Sequence, residues 1–395
     1  MKTLTGSIIY LSKLEYILIF LFFIMCGFTN SYIIPYKTLF IAIIALIYIL
    51  NKKIKLQKSL YIYISSFILV FILQKYYYGI SEMSNSLQMI FAGWFICSIL
   101  GERFKYIYFN IIYILCLISI PCYLLMIIFN IIPNIDSINI GNYKGFFLWN
   151  VRINEIIKGR NCGPFWEPGA FAGYICISQI LFFDRLSLLW KIYKKKMIII
   201  FIALLTTVST QGYVVFFFIY IFYYLSKKLS VSKLLSLVII IFIGYIVATS
   251  IPFIGEKIQE QIGVAKDIES KEGSQNLSRF STAMMDIYYI IKHPIIGNTT
   301  YPQIRYVDHP YVRAAVEYQG GWGTGSGVTD FIAAYGLIPF CIWLLYTCRT
   351  FKNGFGKKSM VLCLMLILML GNAECYFLWI LYHSFPFIKL YDKKS

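Results

Sequence analysis

A charged segment at the start of an apolar stretch is the best candidate for chemistry in this chain. It covers residues 160–169, with the sequence RNCGPFWEPG. Proline is favoured in the first helical turn, where its missing N–H needs no partner, so Pro168 predicts a helix that begins just after Glu167. A helix start has unpaired N–H groups and a partial positive charge, and Arg160 can fold back over it. The pattern predicts either a diphosphate site or a structural clamp in which Glu167 caps the helix and pairs with Arg160.

Further cationic residues lie later in the chain. Arg279 begins a stretch in which apolar residues recur every three or four positions, which predicts an amphipathic helix. Arg305 and Arg313 flank His309. Guanidinium groups bind phosphate oxygens through paired hydrogen bonds, and an imidazole accepts a proton near neutral pH. These residues are candidates for phosphate binding and for a general base. The alternative interpretation is that they are solvated surface side chains without a functional role.

The composition predicts an all-α polytopic membrane protein with a single integral membrane domain over residues 1–395. The chain is 59% hydrophobic and 14% charged, whereas soluble domains have about 25% charged residues. A run of about 20 apolar residues crosses the hydrocarbon layer. About twelve transmembrane helices are predicted, at residues 14–30, 34–50, 60–74, 84–100, 106–130, 165–183, 197–209, 212–226, 234–252, 327–347, 359–372 and 374–388. The first is interpreted as a retained span, because no small-residue cleavage site follows it.

Two connecting segments, 131–163 and 253–326, are too long to be simple connectors. They alternate with short segments that contain most of the 36 Lys and Arg residues. Cytoplasmic loops of membrane proteins carry such an excess, so we expect cytoplasmic N- and C-termini and two long extracytoplasmic loops. The net charge of +18 is then an orientation signal and an attraction to anionic lipids, and it does not indicate nucleic acid.

Several chemistries find no support in the sequence. The three His residues are far apart and the ten Cys residues form no CxxC pair, so neither a metal nor another cofactor is predicted. The phosphate-binding Gly-rich Lys motif of ATP hydrolases is absent. The first predicted outer loop, near 31–33, has no carboxylate, in contrast to many metal-dependent membrane glycosyltransferases.

The layout resembles the bacterial O-antigen polymerase (Wzy) family of oligosaccharide repeat-unit polymerases, and the related O-antigen ligases. Segment 160–169 is similar to the Arg–aromatic–Glu-Pro-Gly segment that opens a middle span in this family. Residues 206–212 resemble the Thr/Ser-rich break that follows it. Residues 279–297 resemble the Arg-helix-His-Pro-x-x-Gly segment of the late outer loop. The resemblance covers about 160–350 locally and the whole chain in hydropathy.

The resemblance implies a metal-independent glycosyltransferase of the bacterial cytoplasmic (inner) membrane. Such a polymerase transfers the growing glycan from undecaprenyl diphosphate to the terminal sugar of another lipid-linked oligosaccharide, on the outer side of the membrane. Membrane lipids and a chain-length regulator protein are the further partners expected. The residues expected at the diphosphate are Arg160, Arg279, Arg305 and Arg313. His309 or Glu167 would be the general base.

Two alternatives remain open. A ligase would send the finished glycan to the lipid A core, but ligases tend to carry His followed by Asn, whereas His309 is followed by Pro310. A polysaccharide flippase or transporter would also span the membrane about twelve times. Transporters often have charges at mid-membrane and internal repeats, whereas the charged candidates here are predicted at the outer face. Both comparisons favour a polymerase.

Overall fold

The computed structural model describes most of the chain, and it is predominantly helical. The described residues are 13–27, 43, 46, 47, 50, 57–79, 83–133, 143–153, 156, 159–226, 279–310, 312–314, 327–358, 362, 363, 366 and 381–390. The helices are α1 Lys13–Gly27, α2 Lys58–Tyr78, α3 Met83–Leu100, α4 Arg103–Phe129, α5 Pro168–Ile180, α6 Leu186–Ile192, α7 Lys194–Thr206, α8 Thr210–Leu225, α9 Arg279–Lys292, α10 Pro302–Arg305, α11 Gly327–Tyr335 and α12 Leu337–Phe355. Short 3-10 helices lie at Phe183–Arg185, Gly356–Lys358 and Phe385–Phe387.

Some of these helices are long and apolar enough to cross a membrane. Among the described residues, α2 and α4 meet this condition alone, and α5 with Phe183–Ile192 forms a pair, bent by 68°, that could be a third span. Ser86–Leu100 and Thr210–Leu225 are shorter apolar helices. The all-α class is therefore confirmed for this part of the chain. The predicted spans 34–50, 234–252 and 359–372 lie largely or wholly outside the described residues.

One small sheet was not predicted. Strands β1 (Tyr143–Phe146) and β2 (Trp149–Arg152) form an antiparallel hairpin within the first long loop. Each strand has four residues, which is too short for an alternating pattern to be recognised in an apolar sequence. At Gly145 a Cβ atom would lie 2.4 Å from the carbonyl oxygen of Trp149, so the hairpin requires glycine there.

Helices α7 and α8 form an antiparallel helical hairpin. The Tyr213 hydroxyl donates to the Leu205 carbonyl at 2.5 Å, and the rings of Phe201 and Phe216 lie 5.7 Å apart. Between the helices, Val208 has a left-handed φ of 46°. The turn predicted from the polar break at residues 209–212 is therefore confirmed, although α7 ends and α8 begins slightly earlier than expected.

The single span predicted at 327–347 is wrong, because two helices occupy this region. α11 ends at Tyr335 and α12 begins at Leu337 and continues to Phe355. Gly336 between them has a φ of +82°. A glycine adopts this left-handed conformation readily, and the conformation interrupts a right-handed helix. The Leu337 amide donates instead to the carbonyl of Pro294 at 2.7 Å. The first residue of α12 is thus tied to the segment after α9.

The helix ends rich in Lys and Arg lie together, at what we call the basic end of the molecule. Contacts that join these helix ends are Arg103–Glu15 at 2.7 Å, Lys196–Asn110 at 2.8 Å, Lys358–Asp184 at 2.9 Å and Lys105–Leu390 carbonyl at 2.9 Å. These helix ends are the ones that the charge pattern placed on the cytoplasmic side.

The opposite end, called here the loop end, carries the α7–α8 turn, residues 159–167 and the segments around α9–α11. On α4, Arg103 belongs to the basic end, and Ser119 contacts Asn161 at the loop end at 3.2 Å. Sixteen residues of helix separate them, or roughly 24 Å. All sequence-derived site candidates within the described residues belong to the loop end.

Replacing Gly336 by Ala tests the junction between α11 and the segment after α9. A Cβ at Gly336 would lie 2.0 Å from the carbonyl oxygen of Ile295, whereas one at Gly79, with a φ of +76°, would have no heavy atom within 4 Å. In both Gly336→Ala and Gly79→Ala, placing a residue with a Cβ atom in a left-handed backbone conformation costs about 1–2 kcal/mol of stability. We expect Gly336→Ala to cost roughly 1–3 kcal/mol more through overpacking.

The measurement is the thermal melting temperature of each purified variant in the same detergent. Equal melting temperatures for the two variants would contradict the close backbone approach at Gly336.

Candidate functional site

The side chain of Asn161 holds the segment before α5 in place. It is fully buried. Its amide nitrogen donates to the hydroxyls of Ser119 at 3.2 Å and Thr206 at 2.9 Å. Its oxygen accepts from the indole of Trp149 at 3.2 Å and from the Gly163 amide at 3.0 Å. This one residue therefore joins α4, α7 and the β hairpin to the candidate segment, and it fixes the position of its neighbour Arg160.

Arg160 lies against the turn between α7 and α8. Its side chain donates from Nε to the carbonyl of Thr207 at 3.4 Å, and only 8% of the residue is exposed. The phenol of Tyr213 lies within electrostatic range of this guanidinium. Because the surroundings are poorly solvated, an anion that reached Arg160 would interact with it more strongly than in bulk water.

Glu167 occupies the N-cap position of α5. Its backbone is extended, with φ −149° and ψ 157°, and its side chain makes no capping hydrogen bond. The carboxylate oxygen Oε1 would lie 3.3 Å from a Cβ on Gly169, and the Ser209 hydroxyl would lie 3.9 Å from the same point. Glu167 and Ser209 therefore both lie close to Gly169 in the first turn of α5.

The starts of α5 and α8 are side by side. Ser209 caps α8 by accepting from the Gly212 amide at 3.2 Å. A Cβ at Gly212 would lie only 2.4 Å from Cβ of Ala172, so small residues bring the two helices into close contact. Further along, Tyr220 of α8 contacts Gln179 of α5 at 3.3 Å, so the helices run in the same direction. The partially positive N-terminal ends of the two helices therefore lie next to each other.

We call this arrangement the helix-start site, and define it by Arg160, Glu167, Ser209 and the first turns of α5 and α8. It combines one guanidinium, two helix starts and one carboxylate. The positive groups suit a phosphate or diphosphate. The carboxylate is one candidate for a proton acceptor.

Arg305 belongs to a different cluster, built by α9, α10 and α11. It is buried, and its guanidinium donates to Asp330 at 2.6 Å and to Asp286 at 2.5 Å. Thr329 donates to the other oxygen of Asp286 at 2.8 Å. Burial alone would lower the pKa of Arg305, but Tyr306 and the two carboxylates together outweigh it and raise that pKa. This pairing favours a structural role for Arg305 over the predicted diphosphate contact.

His309 lies at the edge of this second cluster. Its Nδ1 forms a hydrogen bond with the Tyr289 hydroxyl at 2.6 Å, and the ring of Tyr288 meets it edge-on at 5.0 Å. The direction of the Tyr289 bond decides the chemistry. If Nδ1 carries the proton and donates, Nε2 is unprotonated and can accept a proton; if Tyr289 donates, Nε2 carries the proton. A basic His309 therefore requires Tyr289 as acceptor.

Asp308, next to His309 in sequence, pairs with Lys292. The hydrogen bond from Lys292 lowers the pKa of Asp308, and the same bond raises the pKa of Lys292.

Arg313 follows one turn after His309, and its amide donates to the His309 carbonyl at 3.1 Å. The side chain of Arg279, the first residue of α9, lies outside the described part of the structure. The contacts thus group the described candidates in two clusters, Arg160 with Glu167, and Arg305 with His309 and Arg313.

The sequence interpretation missed Asn161, Asp286, Tyr289 and Asp330. Asp286 and Tyr289 are three residues apart on α9, so their shared helix face was recognisable. The pairing of Arg305 with carboxylates 19 positions before and 25 positions after it has no local signal.

Metal ligands do not cluster in the described residues, where no group of three or more His, Cys, Asp or Glu side chains could hold an ion. No protein-family model matches the chain, and no curated protein matches it significantly.

Removing the Arg305 guanidinium tests its structural role. Arg305→Met leaves two buried carboxylates without a counter-charge, so we expect a loss of about 3–5 kcal/mol of stability. Lys292→Met, which breaks the exposed pair with Asp308, is the matched control and should have little effect. The melting temperature in detergent is the measurement.

A rescue experiment sharpens this test. Adding Asp286→Asn and Asp330→Asn to Arg305→Met removes both unpaired charges and should recover much of the lost melting temperature. An unchanged melting temperature in Arg305→Met itself would mean that the guanidinium is not needed for folding and is available to bind a ligand.

Proposed function

We propose that the chain is a multi-pass protein of the bacterial cytoplasmic membrane with about twelve transmembrane helices. The apolar helices α2 and α4 and the hydropathy of the remaining runs support this placement. The basic end faces the cytoplasm together with both termini, because Lys and Arg favour that side. The loop end, with segments 131–163 and 253–326, faces outward.

We further propose that the protein is a polymerase of lipid-linked oligosaccharide repeat units. Its substrates would be glycans on undecaprenyl diphosphate, and its product would be an O-antigen or a similar surface polysaccharide. The observation that carries this proposal is the helix-start site, where Arg160 and two parallel helix starts meet beside Glu167. The resemblance of segments 160–169, 206–212 and 279–297 to the O-antigen polymerase family supports it.

The proposed reaction is one displacement at the anomeric carbon of the donor glycan. The bond between this carbon and the diphosphate oxygen breaks, and the diphosphate leaves with the electron pair. A hydroxyl of the acceptor sugar forms the new bond from the opposite face, so the configuration inverts, and its proton passes to a base. Arg160, with Arg279, would stabilise the charge that develops on the diphosphate, so the mechanism needs no metal.

Two side chains compete for the role of base. Glu167 belongs to the same site as Arg160 and therefore lies beside the expected leaving group. His309 lies in the second cluster, where Tyr288 and Tyr289 contact its ring, and would accept the proton if the acceptor sugar extends between the clusters. We assign the base to His309, because the acceptor hydroxyl attacks from the face opposite the diphosphate and Glu167 lies on the side of the leaving group.

The proposal predicts that Arg160→Ala stops formation of long glycans. Removing one charge-stabilising donor costs about 10²–10³ in rate, so surface glycan should collapse from a ladder of lengths to a single repeat unit. Arg279→Ala should do the same. Arg152→Ala removes an exposed Arg of strand β2 in the same outer loop and is the matched control, which should keep the ladder. Gel electrophoresis of surface glycan gives the result.

The same gel separates the alternative functions in a strain that lacks the protein. A single repeat unit on its anchor supports the polymerase. Free lipid-linked polymer would indicate a ligase instead, and loss of all outside product would indicate a flippase. A normal ladder with inserted Arg160→Ala protein would contradict the role of Arg160.

The choice of base predicts the kinetics of His309→Ala. A general base contributes about 10²–10⁴ to the rate, so kcat should fall by that factor while KM for the lipid-linked unit stays nearly constant. Tyr289→Phe, which removes the partner of Nδ1, should give a smaller loss in kcat. The assay is polymerisation by purified protein in lipid. An equal change in KM would make His309 a binding residue, and a larger kcat loss in Glu167→Gln would transfer the role to Glu167.

A further inference from the structure

Helix α9 presents its apolar side outward. Its inward side carries the fully buried Asp286 and the buried Tyr289, which are held by Arg305 and His309. The outward side carries Met284, Ile287, Tyr288 and Ile291, which are 48%, 43%, 45% and 74% exposed. Their spacing of three and four residues places them in one stripe. We call these four residues the α9 stripe.

The α9 stripe continues onto a surface of α2. Ile295, just after α9, is exposed, and so are Tyr76 and Tyr77 at the end of α2. The rings of Tyr77 and His293 lie 5.7 Å apart. Leu69, Ile72 and other apolar residues of α2 are also exposed, on a helix long enough to span a membrane. A lipid-facing side of α2 would therefore be continuous with the α9 stripe.

The geometry of α9 excludes a spanning helix. Its 14 residues measure about 21 Å, which is less than the roughly 30 Å of a hydrocarbon core. Its other face is tied to a buried ion pair. A helix of this kind can bury one apolar face in the headgroup region while it lies along the surface. Lys292 at its end pairs with Asp308, and its side chain is 43% exposed, so this end of α9 is polar and accessible to water.

We propose that α9 is an interfacial membrane helix, with its stripe inserted in the outer lipid surface. This inference rests on the membrane placement proposed above, and the occupant of the stripe is lipid. The tyrosines at the end of α2 indicate how deep α9 lies in the membrane, since Tyr favours the interface between water and hydrocarbon. Because Tyr288 touches His309, the same anchor holds His309 at the level of lipid headgroups, where a lipid-linked diphosphate also lies.

A photocrosslinking experiment tests this contact. The full-length protein, with the photoreactive residue p-benzoylphenylalanine in place of Tyr288, is reconstituted in nanodiscs of phosphatidylcholine and phosphatidylglycerol and irradiated. A separate preparation carries the probe at Ile287, in case the first does not fold. The probe at Ile72 on α2 is the positive control, and the probe at the exposed Gln303 of α10 is the negative control. Intact mass spectrometry detects lipid adducts.

The expected result is lipid adducts at Tyr288, Ile287 and Ile72, with a yield at least several-fold lower at Gln303. Adducts at Ile72 without adducts at Tyr288 and Ile287 would overturn the interfacial helix and leave the membrane placement intact. A lack of adducts at all positions would overturn both. Crosslinks from Tyr288 to a second copy of the chain would also overturn the proposal, and so would equal lipid yields at Tyr288 and Gln303.

Discussion

The buried amide of Asn161 is the interaction on which the arrangement of the loop end depends. An unpaired amide in a protein interior is costly, so Asn161 persists only where its donors and acceptor find partners. It finds them on α4, α7, the β hairpin and its own segment. Because all four elements must be in place at once, the segment before α5 has one position, and Arg160 next to Asn161 faces the α7–α8 turn.

The two clusters at the loop end use arginine in different ways. Arg305 is surrounded by two carboxylates, so its charge is already compensated and it joins α9, α10 and α11. Arg160 instead contacts a backbone carbonyl of the α7–α8 turn, beside two helix starts that are also positive. Arg160 and the two helix starts together suit a phosphate, whereas the cluster in which two carboxylates hold Arg305 suits a scaffold for His309.

Local signals account for much of the fold. Pro168 marked the start of α5, and the polar residues near Ser209 marked the turn between α7 and α8. The apolar spacing after Arg279 gave α9 to within a residue or so. Where prediction was wrong, a competing backbone preference decided the structure: Gly336 interrupts an apolar run that reads as one helix. The β hairpin was missed because two four-residue strands leave no periodic pattern.

The sequence by itself determined the helical class, the placement of the basic residues and the candidates at the loop end. Those properties depend on neighbouring residues, on hydropathy and on charge, all of which can be read along the chain. The tertiary structure alone decided that α5 and α8 start side by side, and that Asp286 and Asp330 form ion pairs with Arg305. These contacts join residues far apart in the sequence, and they form because small residues permit close helix packing and a buried guanidinium requires counter-charges.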